Sequence, residues 1–165
     1  MVEQINNDYE VSSEGGVRHW EVPYARLEDA TPTPTNPACV TSQLLGTQVC
    51  GTILGVDATA SVATIDFTCG MVYWFEVRTV TTYAQEAESA WADINIGNVV
   101  YYDSSATMPA GVYLSQAAAA ADTSANPIFG YVMMHPSETA ASFPKLAGVA
   151  GNTHWCAVMQ RGAGA

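Results

Sequence analysis

Apolar positions recur along residues 38–165 in short runs, and clusters of Gly, Pro, Asn, Asp and Ser separate these runs. Runs of this length and spacing are typical of β-strands joined by turns. The clearest alternation lies in residues 61–67, which read SVATIDF. A period of two predicts a strand with one largely polar face and one apolar face. The two faces comprise Val62, Thr64 and Asp66, and Ala63, Ile65 and Phe67, respectively.

The other apolar runs predict six more strands. They are residues 47–56, 71–80, 99–102, 113–115, 128–135 and 153–160. The second and the fifth of these runs are apolar at successive positions, so both strands are predicted to be buried on both faces. Between the strands, Tyr83, Ala87 and Trp91 repeat at intervals of four residues, which predicts one short helix over residues 81–93.

Strands separated by turns, with one helix, favour an antiparallel arrangement over repeated strand–helix–strand units. The predicted fold class is therefore mainly β: a small antiparallel β-barrel or sandwich with one short helix and an extended N-terminal arm. Glycines interrupt several of the strand runs, as expected at bulges, bends and turns. The glycines to which we assign a structural role are Gly46, Gly51, Gly55, Gly70, Gly97 and Gly130.

Residues 1–37 differ from the rest of the chain in charge and pattern. They contain seven acidic residues and two arginines, and they end in the sequence TPTPTNP. Proline fixes its own φ and disfavours helix at the preceding residue, so alternating Pro and Thr predict an extended spacer rather than a tight turn. The predicted organisation is an extended acidic N-terminal arm with a Pro/Thr spacer at residues 1–37, followed by a β-rich domain at residues 38–165.

Within the arm, residues 19–24 form a local apolar cluster with the sequence HWEVPY. Alone, such a segment has no partners against which to bury its aromatic side chains. One hypothesis is therefore that it docks on a partner protein, and the alternative is a strand that folds back on its own domain. The candidate partner contacts are His19, Trp20, Val22, Pro23 and Tyr24.

Charge bears on the kind of partner. The 165 residues include 16 acidic and 5 basic ones, which gives a net charge of −11. Binding to nucleic acid normally needs a basic patch that displaces counterions, and an anionic membrane surface needs one as well, so neither is predicted as a partner. A basic protein surface suits so acidic a chain better. No run approaches the roughly 20 apolar residues of a transmembrane helix, and no secretory signal is visible.

The four cysteines are Cys39, Cys50, Cys69 and Cys156. They form no CxxC pair, and no histidine stands at metal-ligand spacing from them, so we predict no metal site and no other cofactor. Without a secretory signal, we interpret all four as buried thiols that behave as small hydrophobic residues. A bridge between Cys50 and Cys69 on neighbouring strands stays open as an alternative.

Local motifs of common active sites, such as GxSxG, a P-loop or HExxH, are missing from the sequence. The three histidines are His19, His135 and His154. None of them has a visible orienting partner nearby in sequence, so we interpret them as structural. We therefore predict no enzymatic activity, with a small β-barrel hydrolase as the remote alternative.

Two further groups have a possible chemical role. Asp57 and Asp66 could form a carboxylate pair, yet their positions at a strand end and on a polar face favour turn and surface roles. The aromatic residues 73–75 could stack on the bases of single-stranded nucleic acid. With only Arg78 as a nearby cation, packing in the core is the favoured interpretation.

Five segments follow one another between residues 40 and 160. The first, residues 46–58, reads Gly-Thr-x-Val-x-Gly-x-x-x-Gly-Val-x-Ala, and the others are GMVY (70–73), IGNVVYYD (96–103), FGYV (129–132) and HWCAVM (154–159). In their order and spacing they resemble the strand segments of the small capsid cement or decoration proteins of tailed phages, long described only as a domain of unknown function. The arm, the predicted helix and residues 137–152 are longer than the family pattern.

The resemblance implies a structural virion protein that binds the outer surface of the phage capsid and stabilises the head. The implied partners are the major capsid protein and further copies of the chain in a homotrimer, and the implied location is the outside of a virion assembled in the host cytoplasm. A tail, head-fibre or receptor-binding component of the virion is the alternative. On this hypothesis the arm contacts a neighbouring protein, and deleting residues 1–37 leaves the β-rich domain folded.

Overall fold

The computed structural model describes residues 10–12, 19–29, 31–41, 48–78, 96–105, 108, 110–118, 125–134 and 153–162. In these residues the chain is mainly β, as predicted. The strands are β1 (Glu10–Ser12), β2 (His19–Pro23), β3 (Pro37–Thr41), β4 (Gln48–Asp57), β5 (Val62–Asp66), β6 (Val72–Arg78), β7 (Val99–Tyr102), β8 (Leu114–Ser115), β9 (Ile128–Met134) and β10 (Thr153–Gln160). All seven strands predicted from the sequence are present. The helix predicted over residues 81–93 lies outside the described residues.

The chain divides into two compact units. The first consists of Met1–Gly70 together with Gln160–Ala165, and the second consists of Met71–Met159. Strands from both sides of residue 37 thus belong to the first unit. Within the described ranges, no helix is long and apolar enough to cross a membrane.

The first unit is an antiparallel sheet in the order β1-β2-β5-β4-β3. Its apolar face follows the alternation of β5, because Ala63, Ile65 and Phe67 are all buried there, as predicted. Residues directly opposite in an antiparallel pair share a face, so Trp20 and Val22 of β2, which lie opposite Ile65 and Ala63, join the same core. The buried cluster comprises Val22, Ala38, Val40, Ile53, Ala63, Ile65 and Phe67.

The Pro/Thr segment before β3 differs from the predicted extended spacer. The Asn36 amide donates to the Thr33 carbonyl oxygen at 3.1 Å, which closes a β-turn over residues 33–36. Pro34 supplies the fixed φ of the second position, and Thr35 takes a φ of 72° at the third. Two backbone bonds to β4 hold this conformation: Thr35 N donates to Ile53 O at 2.8 Å, and Ile53 N donates to Asn36 O at 2.9 Å. Pairing with β4 therefore outweighs the local preference for extended chain.

The strands of the second unit close into a barrel in the order β10-β6-β8-β7-β9. Phe75 and Phe129 are buried, and their rings meet edge to face with centroids 5.2 Å apart. The ladder between β7 and β9 shifts register at Val100/Tyr101, which marks a bulge on β9. A bulge interrupts the alternation of side chains between the two faces of a strand. Phe129, the residue that the register skips, is fully buried.

Residues 71–80 and 128–135 were predicted to be buried on both faces, and this prediction is wrong. In β6, Phe75 and Val77 are buried, but Val72 is 47% exposed and Trp74 is 37% exposed. Met133 of β9 is exposed as well. The reason is that a strand in a barrel wall has only one face toward the interior, so these apolar side chains lie on the outer face.

A glutamine that no pattern in the sequence singles out completes the core of the first unit. Gln160 is fully buried. Its Nε2 donates to the carbonyl oxygens of Asp66 at 3.1 Å and Thr68 at 2.8 Å, and its Oε1 accepts from Thr52 Oγ1 at 2.7 Å. This one side chain therefore joins the end of the chain to β4 and to the segment that follows β5.

Replacing Gln160 with leucine is expected to lower the free energy of unfolding of the first unit by about 2–3 kcal/mol, because the change leaves buried polar groups without their partner. Urea denaturation followed by tryptophan fluorescence measures the change. Gln48→Leu is the matched control, since the Gln48 amide makes an exposed 3.3 Å bond to Glu28 Oε1. Equal shifts in the two variants would contradict the role of Gln160.

Candidate partner-binding surfaces

The predicted contact segment, residues 19–24, forms β2 and the first residue of the 3₁₀ turn Tyr24–Arg26. The sequence left open whether this segment docks on a partner protein or folds back on its own domain. In the structure it folds back, because β2 pairs with β5 of the first unit. Val22 has no exposed surface, and the Trp20 ring packs against Phe67 with centroids 5.1 Å apart. These two side chains are therefore committed to the core of the first unit.

The outer face of β2 leaves less for a partner than the sequence predicted. His19, Glu21 and Pro23 share this face, where Glu21 is exposed and Pro23 is half-buried. Tyr24 is also half-buried and packs against the core cluster. His19 Nε2 lies 4.0 Å from Asp66 Oδ1, with the imidazole 36% exposed and the carboxylate 1% exposed. This pair can form an ion pair when His19 is protonated.

The two aspartates considered as a carboxylate pair take separate roles in turns. Asp57 Oδ1 accepts from the amides of Thr59 at 2.8 Å and Ala60 at 3.0 Å, so its turn role is confirmed. Asp66 Oδ1 accepts from Thr68 N at 2.8 Å, but the surface role predicted for Asp66 is wrong because the residue is buried. Asp57 pairs with Val62 and Asp66 lies at the other end of β5. The position of Asp57, opposite Val62, and the position of Asp66 are therefore four residues apart along β5, or roughly 13 Å. The two carboxylates are too far apart to act as a general acid–base pair.

The outer wall of the barrel carries an apolar surface, and the residues that β6 contributes to it were predicted to be buried. Register pairs on this face are Val72 with Met159, Trp74 with Ala157, and Glu76 with Trp155. We call the five apolar members the barrel stripe: Val72, Trp74, Trp155, Ala157 and Met159. Val72 and Trp74 are exposed, Trp155 and Met159 are half-buried, and Ala157 is buried; Met71, the residue before β6, is also exposed.

The aromatic run of residues 73–75 thus divides between two faces. Phe75 is buried, so core packing is confirmed for it, and the half-buried Tyr73 lies near it with ring centroids 6.1 Å apart. Trp74 points to the opposite face, because successive residues of a strand alternate. The signal for this outcome was present in the sequence as the alternation between Trp74, Glu76 and Arg78 on one side and Phe75 and Val77 on the other.

Charges are sparse around the barrel stripe. In the described part of the second unit, the Asp, Glu, Lys and Arg residues are Glu76, Arg78 and Asp103. Asp103 is fully buried, and its Oδ1 accepts from Ser105 N at 2.9 Å. Trp and Met are enriched at the centres of protein interfaces, whereas charged residues are depleted there. The part of this face around Trp74 and Met159 has that composition, and Glu76 and Arg78 lie at its Trp155 end.

The described residues contain no group of three or more His, Cys, Asp or Glu that could hold a metal ion. His154 lies in β10 opposite Val77, whereas His135 falls outside the described ranges. Three cysteines are buried, as predicted, but Cys69 is exposed, so the prediction is wrong for that residue. Burial raises the pKa of the Cys156 thiol to about 12, so this thiol stays protonated at neutral pH.

The structural glycines occupy different kinds of position. Gly51 lies in β4 beside the end of β5, and a Cβ there would stand 2.5 Å from the Asp66 carbonyl oxygen. Gly70 and Gly97 have φ values of 85° and 87°, in the left-handed region that favours glycine. Gly55 follows the bulge in β4, and Gly130 lies opposite Val100 beside the bulge in β9. Gly46 lies outside the described residues.

No family model, curated protein or solved structure matches this chain. The resemblance to phage decoration proteins therefore stays a prediction.

Proposed function

We propose that the protein is a structural component of a tailed-phage virion, without enzymatic activity, that binds the outer surface of the capsid and stabilises the head. Its partners are the major capsid protein and further copies of the chain. The observation that carries this proposal is the barrel stripe, an apolar strip on the outer wall of a barrel, with Glu76 and Arg78 at its Trp155 end.

The stripe suits a protein partner for a physical reason. An apolar strip in water gains free energy when a partner covers it, at about 25 cal/mol for each Å² of apolar surface removed from water. A tryptophan flanked by Val72 and Met159 can act as the anchor of such a contact, because Trp residues are enriched among interface hot spots. The backbone beneath Trp74 is fixed by its register with Ala157, so little entropy is lost on binding.

Stabilising a shell requires no high affinity per copy. A capsid presents many equivalent positions, and a clamp that holds neighbouring subunits at each of them adds a small free energy many times over. The net charge of −11 favours approach to a basic outer surface and disfavours contact with the packaged nucleic acid. Binding to such a surface is expected to weaken as salt concentration rises.

The test is a binding assay on heads of the tailed phage whose genome encodes the chain, after removal of this protein from them. The wild-type chain is expected to bind to saturation and to raise the temperature at which the heads open. Trp74→Ser is expected to reduce the affinity about 30-fold or more, because a hot-spot tryptophan contributes about 2 kcal/mol or more. Cosedimentation and cryo-electron microscopy of the heads measure both effects.

Ile96→Ser is the matched control, because Ile96 is an exposed apolar residue of the same unit that lies outside the stripe. It is expected to bind like the wild type. Failure of the wild-type chain to bind heads would overturn the proposed function, and binding to tails instead would favour another virion component. If the Trp74→Ser variant binds heads as tightly as the wild type, the barrel stripe is not part of the interface.

A further inference from the structure

Two cysteines of the first unit lie directly opposite each other on neighbouring strands. Cys39 of β3 and Cys50 of β4 are register partners in an antiparallel ladder. Directly opposite residues point to the same face of a sheet. Both side chains are buried, with 0% and 4% of their surface exposed. The pair therefore forms an enclosed dithiol at the β3 end of the sheet.

The hydrogen-bonding pattern shows which type of pair this is. The Cys39 carbonyl oxygen accepts from Glu28 N at 3.0 Å, on the side of β3 away from β4. In a strand, the N–H and C=O of one residue point to the same side, so Cys39 does not exchange backbone bonds with Cys50. In such a non-hydrogen-bonded pair the Cα atoms are about 4.5 Å apart, within the range of about 4.4–6.8 Å that a disulfide needs.

The two side chains are in contact in the reduced state. A hydrogen bond between the thiols, with burial as the next cause, raises the pKa of Cys39 far above its ordinary value. The Cys39 thiolate is therefore scarce while the sheet is closed, and because both thiols are buried, exchange needs a local opening of the β3 edge.

The Glu28 side chain holds that edge closed. Its Oε1 accepts from Thr41 Oγ1 of β3 at 2.6 Å and from Gln48 Nε2 of β4 at 3.3 Å. Leu27, the residue before it, pairs with Val40 in an isolated bridge. Glu28 therefore ties the segment after the 3₁₀ turn to both strands that carry the dithiol.

We propose that Cys39 and Cys50 are a modification site, at which a low-molecular-weight disulfide such as glutathione disulfide converts the two thiols into a cross-strand disulfide. One cysteine, as thiolate, attacks a sulfur of glutathione disulfide and releases one glutathione thiolate. The second cysteine then attacks the mixed disulfide and releases the other. Both cysteine protons end on the released glutathiones, so two thiols and one disulfide become one disulfide and two thiols.

The other two cysteines are unsuited to this reaction. Cys69 is exposed in the turn between β5 and β6, and Cys50 has Cys39 rather than Cys69 as its register partner. The sequence left open a bridge between Cys50 and Cys69, but the register of β3 on β4 favours a bridge between Cys50 and Cys39. Cys156 is buried in β10, where its register partner is Phe75.

A bridge between Cys39 and Cys50 closes a loop of the residues between them. Closing this loop stabilises the folded protein, because it restricts the conformations of the unfolded chain. The bridge is expected to reduce the equilibrium constant for unfolding about a hundredfold and to raise the thermal midpoint by about 5–10 °C. It also fixes the register of β3 on β4.

The experiment incubates the reduced full-length chain with glutathione disulfide until the reaction stops, unfolds it in acid, alkylates the remaining thiols and maps the peptides by mass spectrometry. The expected result is Cys39 linked to Cys50, glutathione on Cys69 and an unmodified Cys156. The thermal midpoint should rise in the wild type and in Cys69→Ala, but not in Cys39→Ala or Cys50→Ala.

The rate of bridge formation in Glu28→Ala is a second measurement, and it leaves both cysteines in place. This variant is expected to form the same bridge faster, because it loses the contacts that hold the β3 edge closed. Recovery of Cys39 and Cys50 as free thiols, or linkage of either one to Cys69, would overturn the proposal. An unchanged rate in Glu28→Ala would overturn the gating by that residue.

Discussion

Replacing Gly51 with alanine is expected to lower the free energy of unfolding of the first unit by about 3 kcal/mol, the upper range for overpacking a core. A Cβ at this position would stand 2.5 Å from the Asp66 carbonyl oxygen, 2.8 Å from Ile65 Cγ2 and 2.9 Å from Phe67 Cδ1. Real Cβ atoms do not approach this closely, and the nearest of these atoms belongs to the backbone. β4 and β5 would therefore have to separate at the centre of the core.

Gly55→Ala in the same strand is the matched control. A Cβ there meets no atom within 4 Å, and its φ is outside the left-handed region. The control is expected to be neutral or to stabilise by about 0.4–1 kcal/mol, because alanine restricts the unfolded chain. Urea denaturation of both variants, followed by the fluorescence of tryptophans such as Trp20 beside Phe67, measures the difference. Equal midpoints would show that β4 and β5 tolerate a side chain at position 51.

Local pattern was enough to predict the strands whose two faces differ. In β5 the alternation of Ala63, Ile65 and Phe67 with polar neighbours predicted both the strand and its buried face. The bounds of β7, Val99–Tyr102, agree to the residue because turn-forming residues flank a run of only four. These features depend on neighbours in sequence, which the chain itself displays.

Features that depend on contacts between residues far apart in the chain could not be predicted from the sequence. Trp74 was assigned to the core because its run is apolar; its alternation with Glu76 and Arg78 indicated an outward face, but its pairing with Ala157 of β10 is visible only in the structure. Gln160 reads as an ordinary polar residue after an apolar run, and its partners lie about 90 to 110 positions earlier in the chain. Cys39 and Cys50 pair only once the register of β3 on β4 is known.

The same limit explains the assignment of the N-terminal segment. Acidic residues and a Pro/Thr run outweighed the short apolar cluster of residues 19–24, so the segment was predicted to be an arm. Its partner strand, β5, begins about 40 residues later, and nothing near Trp20 in sequence points to it. The structure makes β2 part of the fold, so the contact that we propose with a partner protein is assigned to the barrel stripe around Trp74 and no longer to Trp20 and Tyr24.

Deleting residues 1–37 is accordingly expected to unfold the first unit, in place of the earlier expectation that the β-rich domain stays folded. The deletion removes β1 and β2, leaves the edge of β5 unpaired and uncovers the side chains of Ala63 and Ile65. Losing the buried Val22 and the packing of Trp20 on Phe67 costs about 1.5–3 kcal/mol for each side chain. Together with the lost backbone pairing, this approaches the total stability of about 5–15 kcal/mol that is typical of a domain.

Hydrogen exchange measures this outcome strand by strand. The amides of β5 and of the adjoining β4 are expected to lose their protection in the truncated chain, because their sheet no longer has a closed core. Deletion of residues 1–9 is the control, since it leaves every strand from β1 to β10 intact and should retain that protection. Protected β5 amides in the chain lacking residues 1–37 would show that β2 is dispensable. The segment would then be available as an arm for a neighbouring protein, and Trp20 and Tyr24 would again be candidates for the proposed contact with a capsid.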